Sequence, residues 1–174
     1  MRLRLRLLYV LLASFFRRHV RVVEESVLNL IVFPNDVDVS KMSADRYLAL
    51  TDLGRVNIVA RAGLLRQMLA SRHLPVAHVA TMRFRRPLRL FEKYRLRSRV
   101  IWWDEAWVWC EHHFERQGST VAMAIVKVML IGPGGRLPVS TWLLAAGESL
   151  APPAPLPIVG ELQLAEVRLR EMQR

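Results

Sequence analysis

The chain has 174 residues, 52% of them hydrophobic, which is enough for one domain with a core and excludes an intrinsically disordered protein. Its single cysteine, Cys110, excludes a disulfide framework and a cysteine-based zinc site, and it is compatible with a reducing compartment. The net charge of +11 is mostly due to arginine and suggests an anionic partner: nucleic acid, lipid headgroups or a phosphorylated ligand. A solvated, arginine-rich surface encoded by a GC-rich genome explains the charge equally well.

Residues 1–22 form a basic and apolar N-terminal segment, "MRLRLRLLYVLLASFFRRHVR…", with no acidic residue before Glu24. Its apolar run over residues 7–16 is shorter than the ~20 residues that span a bilayer, and no cleavage site of a signal peptide follows it. A basic amphipathic segment on an anionic membrane fits this pattern, and so does a segment whose leucines cover the core of a neighbouring subunit. We expect a cytoplasmic protein that can associate with a membrane.

Residues 23–150 are predicted to form the folded domain, which begins with a strand and a long helix. The β-branched and apolar residues 24–33 predict the strand. Apolar residues recur at helical spacing over residues 43–62 and predict a helix of about 30 Å, whose start Ser43 can cap. A short helix is predicted over residues 64–71.

The second half of the domain predicts strands separated by turns. In "YRLRSRVIWW", residues 94–103, apolar and small side chains alternate with arginines, as in a strand with one buried face. Hairpin-like spacing favours antiparallel neighbours, and one long apolar helix can cover such a sheet. The sequence therefore predicts an α+β fold in which an antiparallel sheet of five to six strands curls around one helix. The other predictions are strands over residues 76–86, 107–116 and 120–131, and over residues 151–174 a proline-rich link and a short, peripheral helix.

The order of these elements and the segment "PNDVDV…M…RYLALTDLGR" resemble the hotdog-fold thioesterases, specifically the 4-hydroxybenzoyl-CoA thioesterase-like branch. Members often read like "D-x-D-x-x-x-H-M-N-N-x-R-Y-L-x-x-M-D-L-G-R", and the resemblance covers residues 24–131. Where those relatives carry His-Met-Asn-Asn, this chain has Lys41-Met42-Ser43-Ala44, and the preceding segment is one residue shorter. The matching positions are Asp36, Asp38, Met42, Arg46, Tyr47, Leu48, Asp52, Leu53, Gly54 and Arg55.

The resemblance implies an acyl-CoA thioesterase that forms a homodimer or a dimer of dimers. Two protomers would join their sheets edge to edge, with the sites at the subunit boundary. A fatty or aryl acyl group would lie beside the long helix, and coenzyme A, as part of the substrate, would lie outside. No metal or redox cofactor is implied, and an acidic residue near the substrate is expected at Asp38.

Thioester hydrolysis needs a nucleophile or a base, and donors that hold the developing oxyanion. The free backbone N–H groups and the partial positive charge at the start of the long helix can polarise a thioester carbonyl. Asp38 precedes this helix and can act as nucleophile or general base, although aspartates in such positions, like Asp36, are often turn residues. We predict Asp38, Ser43 and Tyr47 as catalytic candidates, with a helix cap and a core position as the alternative roles of Ser43 and Tyr47.

Several arginines share strand faces and cannot be buried unpaired, so they are expected either to face water or to bind phosphates. Arg83 and Arg85 share one predicted strand face, with Arg86 at the end of that strand, and Arg95, Arg97 and Arg99 share another. The segment "FRRP" is the expected contact for the coenzyme phosphates. The predicted substrate-binding residues are Lys41, Met42, Ala44, Arg83, Arg85 and Arg86.

Two further classes of site are not favoured by the sequence. His112 and His113 are adjacent in a strand and point to opposite faces, so no metal site is predicted. The chain lacks zinc-finger spacing, a basic zipper and an RNP-type strand, which makes nucleic acid an unlikely partner. The alternative function is a non-catalytic hotdog protein that binds acyl thioesters or lipid at a membrane surface, favoured by the changed residues at 41–44 and the basic N-terminus.

Overall fold

The structure is a computed structural model that describes residues 3–16 and 18–172. Residues 1, 2, 17, 173 and 174, which belong to the predicted terminal segments, lie outside the described residues. In chain order, the elements are α1 (Arg4–Phe15), β1 (Ser26–Ile31), a 3₁₀ turn (Pro34–Asp36), β2 (Val37–Asp38), β3 (Lys41–Met42), α2 (Ala44–Arg61), α3 (Leu65–Ser71), β4 (Leu74–Phe84), β5 (Lys93–Trp103), β6 (Val108–Arg116), β7 (Ser119–Gly132), β8 (Gly135–Leu137), α4 (Val139–Ala145) and α5 (Pro157–Glu171).

Six antiparallel strands form the main sheet, in the order β1-β5-β6-β7-β4, with β8 paired to the end of β7. The strands β2 and β3 form a separate hairpin. The long helix α2 packs against β1, β4, β5 and β6. The predicted α+β fold, an antiparallel sheet around one long helix, is confirmed. The sequence analysis did not predict the short strands β2, β3 and β8 or the helix α4.

The helix α2 approaches the sheet closely at Gly54, where no side chain would fit. A Cβ atom on Gly54 would overlap Ser98 Oγ and lie 2.9 Å from His112 Nδ1. This glycine therefore lets the helix backbone lie directly on β5 and β6. Apolar side chains of α2 fill the core on both sides of the crossing: Tyr47, Leu50, Leu53, Ile58 and Val59.

The N-terminal helix α1 lies on α2 of the same chain. Its buried face carries Arg6, Val10 and Ser14, whereas its other face is exposed. The predicted alternative was that the leucines of this segment cover the core of a neighbouring subunit. In the structure, the buried face of α1 instead packs on α2 of its own chain. No helix within the described ranges combines the length and the apolar character that crossing a bilayer requires.

Strand β5 alternates as predicted, but its arginines have partners that the sequence analysis missed. Arg95 and Arg97 lie 3.2 and 2.5 Å from carboxylate oxygens of Glu115, and Arg99 lies 2.5 Å from Glu111. These arginines do face water, with 55, 34 and 41% of their side chains exposed, and the pairing of β5 with β6 also brings glutamates beside them. The inward-facing side chains are Tyr94, Leu96, Ser98 and Val100.

The C-terminal helix α5 lies on the outer face of the sheet, and only Val159 and Glu166 of this helix are buried. This helix begins at Pro157, because proline is well suited to the first turn of a helix. Glu166 of α5 and Lys127 of β7 form a buried ion pair of 2.6 Å. In the sequence, Glu166 is one of several charged residues that suggest an exposed helix, although its side chain is buried. Apolar contact is provided by Val159, which packs with Ile101, Trp109 and Ile125.

Candidate active site

The segment before α2 is a tight hairpin that places two predicted site residues opposite each other. Asp38 of β2 is the register partner of Lys41 of β3, and Ser40 N–H donates a hydrogen bond of 2.8 Å to the Asp38 carbonyl. Val39 has φ 61°, a left-handed conformation that is rare for a β-branched residue, and its side chain is fully exposed. The chain therefore reverses within Val39 and Ser40, which agrees with the shortened segment noted in the sequence.

This hairpin is attached to the loop that follows β4. Met42 N–H donates to the Leu88 carbonyl over 2.8 Å, and Leu88 N–H donates to Tyr47 Oη over 2.9 Å. Lys41 also forms an isolated backbone bridge with Arg89. The hairpin, the first turns of α2 and the loop after β4 are thus joined around the buried side chain of Leu88.

Ser43 occupies the N-cap position of α2, with an extended backbone of φ −75° and ψ 154°. Its hydroxyl donates to the Asp45 carboxylate, and it does not accept a backbone N–H of the first turn, so the predicted side-chain cap is absent. The hydrogen bond from Ser43 lowers the pKa of Asp45 below its usual value. The backbone N–H groups that begin α2, with the positive end of the helix dipole, therefore lie beside the hairpin without a side-chain cap.

A cavity of about 450 Å³ lies at this end of α2, between the hairpin and the loop after β4. Asp38 and Ser43 separate it from a second cavity of about 440 Å³, which Asp45 and Arg46 also line. Eight of the nine predicted site residues line the first cavity: Asp38, Lys41, Met42, Ser43, Ala44, Tyr47, Arg85 and Arg86.

Arg83 is the predicted site residue that does not line this cavity. It precedes Phe84 on β4, and since Phe84 faces the cavity, strand alternation directs Arg83 to the opposite side. The alternation ends there, because the N–H groups of Arg85 and Arg86 both donate to the Val121 carbonyl, at 2.8 and 3.1 Å. The predicted shared face of Arg83 and Arg85 is therefore wrong.

Phe84 and Pro87 line the cavity and were missed by the sequence analysis. Phe84 packs edge-on against Tyr47, with ring centroids 5.2 Å apart, and Tyr47 packs in the same way against Phe114 at 5.0 Å. Burial raises the pKa of the Tyr47 hydroxyl, so the group stays protonated. Tyr47 is therefore a core residue that is also part of the cavity wall.

The charged groups of the cavity wall are Lys41, Arg85, Arg86 and Asp38. All four side chains are exposed, and none has a hydrogen-bond or ion-pair partner within the described ranges. Three cations and one carboxylate give this wall a net positive charge, which favours an anionic ligand.

Other residues of the matched segment have structural partners. Asp36 accepts Phe33 N–H over 2.9 Å, as expected of a turn residue, but it also forms a buried ion pair with Arg6. Asp52 and Arg55, three residues apart on α2, form an ion pair.

The two adjacent histidines of β6 do point to opposite faces, as predicted. His112 is fully buried, with Nδ1 2.8 Å from Ser98 Oγ, whereas His113 is half-buried. Burial lowers the pKa of His112 well below its usual value. Across the described residues, no three His, Cys, Asp or Glu side chains are grouped closely enough to hold a metal ion.

The sequence of this chain matches a known family and several relatives. The model of the Thioesterase-like superfamily matches residues 32–159. Protein THEM6 of Danio rerio is 32% identical over 124 residues, which are 70% of this chain and 61% of that protein. A probable thioesterase of Saccharomyces cerevisiae is 32% identical over 97 residues, which are 54% of this chain and 41% of that protein. The chain spans about half the length of the curated relatives that it matches.

Solved structures share the architecture. The gentisyl-coenzyme A thioesterase BH1999 has a TM-score of 0.60 and 19% identity, covering 64% of this chain and 94% of that chain. The probable thioesterase YbaW of Escherichia coli has a TM-score of 0.62 and 18% identity, covering 71% of this chain and 96% of that chain. Both solved chains are matched almost entirely, so this chain adds segments to the shared fold. It belongs to the thioesterase-like superfamily and has the hotdog fold.

Proposed function

We propose that this protein hydrolyses acyl thioesters of coenzyme A in the cavity at the start of α2. The observation that carries the proposal is that one cavity is lined by a helix N-terminus, a carboxylate and three cations, and that these four charged side chains have no partner among residues 3–16 and 18–172. Membership of the thioesterase-like superfamily supports thioester chemistry for such a site.

Asp38 is the proposed catalytic carboxylate. As a general base, it takes a proton from water while the water oxygen attacks the thioester carbon. The carbonyl oxygen becomes an oxyanion, which the N–H groups at the start of α2 stabilise, and the C–S bond then breaks to release the coenzyme thiolate, which takes up the proton from Asp38. As a nucleophile, Asp38 would instead attack the thioester carbon and, as the C–S bond breaks, expel the coenzyme thiolate to form a mixed anhydride. Water would then hydrolyse this anhydride to the free acid and regenerate the Asp38 carboxylate, and the thiolate would take up the proton that is released. Water can reach Asp38 from the second cavity, since this residue lines both.

The other two catalytic candidates receive different roles. Ser43 donates its hydroxyl hydrogen bond to Asp45, and in this proposal Ser43 serves through its backbone, as the N-cap residue at the start of α2. Tyr47 Oη accepts a hydrogen bond from Leu88 and keeps its own proton, which it can donate towards a ligand in the cavity.

The remaining wall of the cavity suits the two halves of an acyl-CoA. Met42, Ala44 and Phe84 provide an apolar surface for the acyl group beside α2. Lys41, Arg85 and Arg86 can bind the phosphates of coenzyme A at the exposed side. No cofactor other than the coenzyme of the substrate is required by this scheme.

We also propose that two protomers join through β4. This strand is an edge of the main sheet, and it exposes Leu74 and Val76 along a length of 11 residues. Long, apolar edge strands favour pairing with another strand. Because β4 leads directly to Phe84 and Arg85, such a dimer would place the cavity near the subunit boundary. Light scattering of the purified chain tests this, and a monomeric mass would reject it.

The decisive experiment measures release of free thiol from short-chain, long-chain and aromatic acyl-CoAs by the purified full chain. Hydrolysis of at least one class well above the rate without protein is expected. Saturable binding of all classes without hydrolysis would reject the enzyme and favour the alternative, a non-catalytic protein that binds acyl thioesters or lipid at a membrane surface. The specific observation that favours this alternative is the absence of a histidine at Lys41.

A further inference from the structure

We propose that α1 docks this protein on anionic lipid bilayers through the apolar side chains of its outer face. Leu5 and Phe16 are 83% and 92% exposed, and Leu8, Tyr9 and Leu12 are exposed between them. These positions fall within an arc of about 100° on a helix with 3.6 residues per turn. One side of α1 therefore presents a continuous apolar stripe to solvent.

The opposite face of α1 fixes the helix on the protein, so that the stripe points outward. Val10 is fully buried in the cluster that contains Leu50 and Leu53 of α2. Arg6 and Ser14 are buried one turn before and after it. A helix that is attached along one face, with an apolar stripe along the other, is suited to lie in a membrane interface without spanning it.

Charge identifies an anionic lipid surface as the occupant. Arg4 and Arg18 are exposed near the two ends of the stripe, and the first acidic residue of the chain is Glu24. The whole chain carries a formal net charge of +11. Basic residues beside an apolar helix face add electrostatic attraction to anionic headgroups. The family match begins at residue 32, so α1 is an addition to the part of the chain that the family defines.

Sedimentation of the full chain with vesicles of phosphatidylcholine alone, or mixed with phosphatidylserine, tests this proposal. Wild type is expected to bind the mixed vesicles, with binding weakened by salt, and Leu8→Ser/Leu12→Ser should weaken it roughly tenfold or more. The matched control, Leu164→Ser/Leu169→Ser, alters two exposed leucines of α5 and should bind like wild type.

Three results would overturn the proposal. These are no binding of wild type to mixed vesicles, equal binding by Leu8→Ser/Leu12→Ser, and a lower oligomeric mass of this variant in light scattering. The last result would show that a second copy of the chain covers the stripe.

A second inference comes from the inner face of α1 and rests on the proposed function. The geometry points to Arg6 as a positioning residue for Asp38. Arg6 is 7% exposed and Asp36 is 2% exposed, and the guanidinium binds both carboxylate oxygens, at 3.1 and 2.5 Å. Arg6 also donates to the Ile31 carbonyl over 2.8 Å and lies over the ring of Phe33 at 4.7 Å.

Asp36 connects Arg6 to the site through hydrogen bonds of both its side chain and its backbone. Its carboxylate accepts Phe33 N–H, and its carbonyl accepts Ser43 N–H over 3.2 Å. The strand that carries Asp38 starts at the next residue, Val37. The start of α2 and the hairpin are therefore both attached to Asp36, whose carboxylate Arg6 holds. Arg6, which precedes the family match, thus stabilises the position of Asp36 within it.

The variant Arg6→Met tests this role, with Val10→Ala as a control that loosens α1 without touching Asp36. We expect Arg6→Met to lower kcat about ten- to hundredfold while KM stays within about twofold, because misplacing Asp38 affects chemistry more than phosphate binding. Arg6→Lys should recover part of kcat. Amide exchange at residues 36–44 should rise for Arg6→Met and not for Val10→Ala.

The amide exchange decides the second inference even if no acyl-CoA is hydrolysed. Unchanged exchange at residues 36–44 in Arg6→Met would overturn it. It would also be overturned by Val10→Ala producing the same exchange and the same loss of kcat, since the loop would then only follow the stability of α1.

Discussion

Tyr47 Oη of the central helix accepts a hydrogen bond of 2.9 Å from the backbone N–H of Leu88, in the loop after β4. The carbonyl of the same residue accepts Met42 N–H over 2.8 Å. Leu88 thus uses both backbone groups to join the loop to the helix on one side and to the hairpin on the other. Arg85 and Arg86 lie on one flank of this junction, and Asp38 lies on the other.

Replacement Tyr47→Phe should lower the free energy of unfolding by about 1–3 kcal/mol, because it leaves the buried Leu88 N–H without an acceptor. Urea denaturation measures this loss. The matched control is Tyr94→Phe, since the Tyr94 hydroxyl is buried and has no partner in the part of the chain described. This control should be neutral or stabilising. Equal destabilisation by the two variants would contradict the role assigned to the Tyr47 hydroxyl.

Replacement Asp38→Asn should lower kcat for the best acyl-CoA substrate by about 10²–10⁴-fold, the range for loss of a general base. The fold should be unaffected, because Asp38 is exposed and its side chain has no partner in residues 3–16 and 18–172. Glu161→Gln, on the exposed side of α5, serves as the control and should hydrolyse at the wild-type rate. An Asp38→Asn enzyme as fast as wild type would exclude both proposed roles of this carboxylate.

Replacement of both Arg85 and Arg86 by alanine should raise KM for acyl-CoA about tenfold and leave kcat within about twofold, as expected for loss of binding energy that is equal in ground and transition states. The salt dependence of KM should become weaker in the same variant. Arg83→Ala removes a neighbouring charge that does not line the cavity and should change neither value. A fall in kcat with unchanged KM would place these arginines in the chemical step.

Acidification should destabilise the protein through His112. Burial lowers its pKa in the folded state well below the unfolded value of about 6.5, so between about pH 7 and pH 5 the unfolded chain binds more protons. The free energy of unfolding should therefore fall as pH drops, with a slope approaching about 1.4 kcal/mol per pH unit. Urea denaturation of wild type and His112→Asn measures the contribution, and the variant should lack this slope. Identical slopes would assign the effect to other groups.

Periodicity was sufficient to predict α2 and the main strands, since their apolar residues recur at regular spacing. The expectation that Asp38 and Arg86 belong to one site rested on the family resemblance, because these residues are distant in the chain and no local pattern connects them. Two kinds of feature were not predictable. The first is the point at which side chains stop alternating between the two faces of a strand, as they do after Phe84. Buried ion pairs such as Arg6 with Asp36 look like exposed charges until the fold brings them together.

The pair of Lys127 and Glu166 yields the last prediction, for the attachment of α5. Glu166→Gln leaves a buried lysine without its counter-charge, which typically costs about 3–5 kcal/mol. When α5 detaches from the sheet, Lys127 becomes exposed to water. The decrease in the free energy of unfolding therefore cannot exceed the part of it that the attachment of α5 contributes. We therefore expect a lower urea midpoint and faster proteolysis in residues 151–156, whereas the exposed Glu161→Gln should resemble wild type. Unchanged proteolysis of Glu166→Gln would show that the apolar contacts of Val159 are sufficient to keep α5 on the sheet.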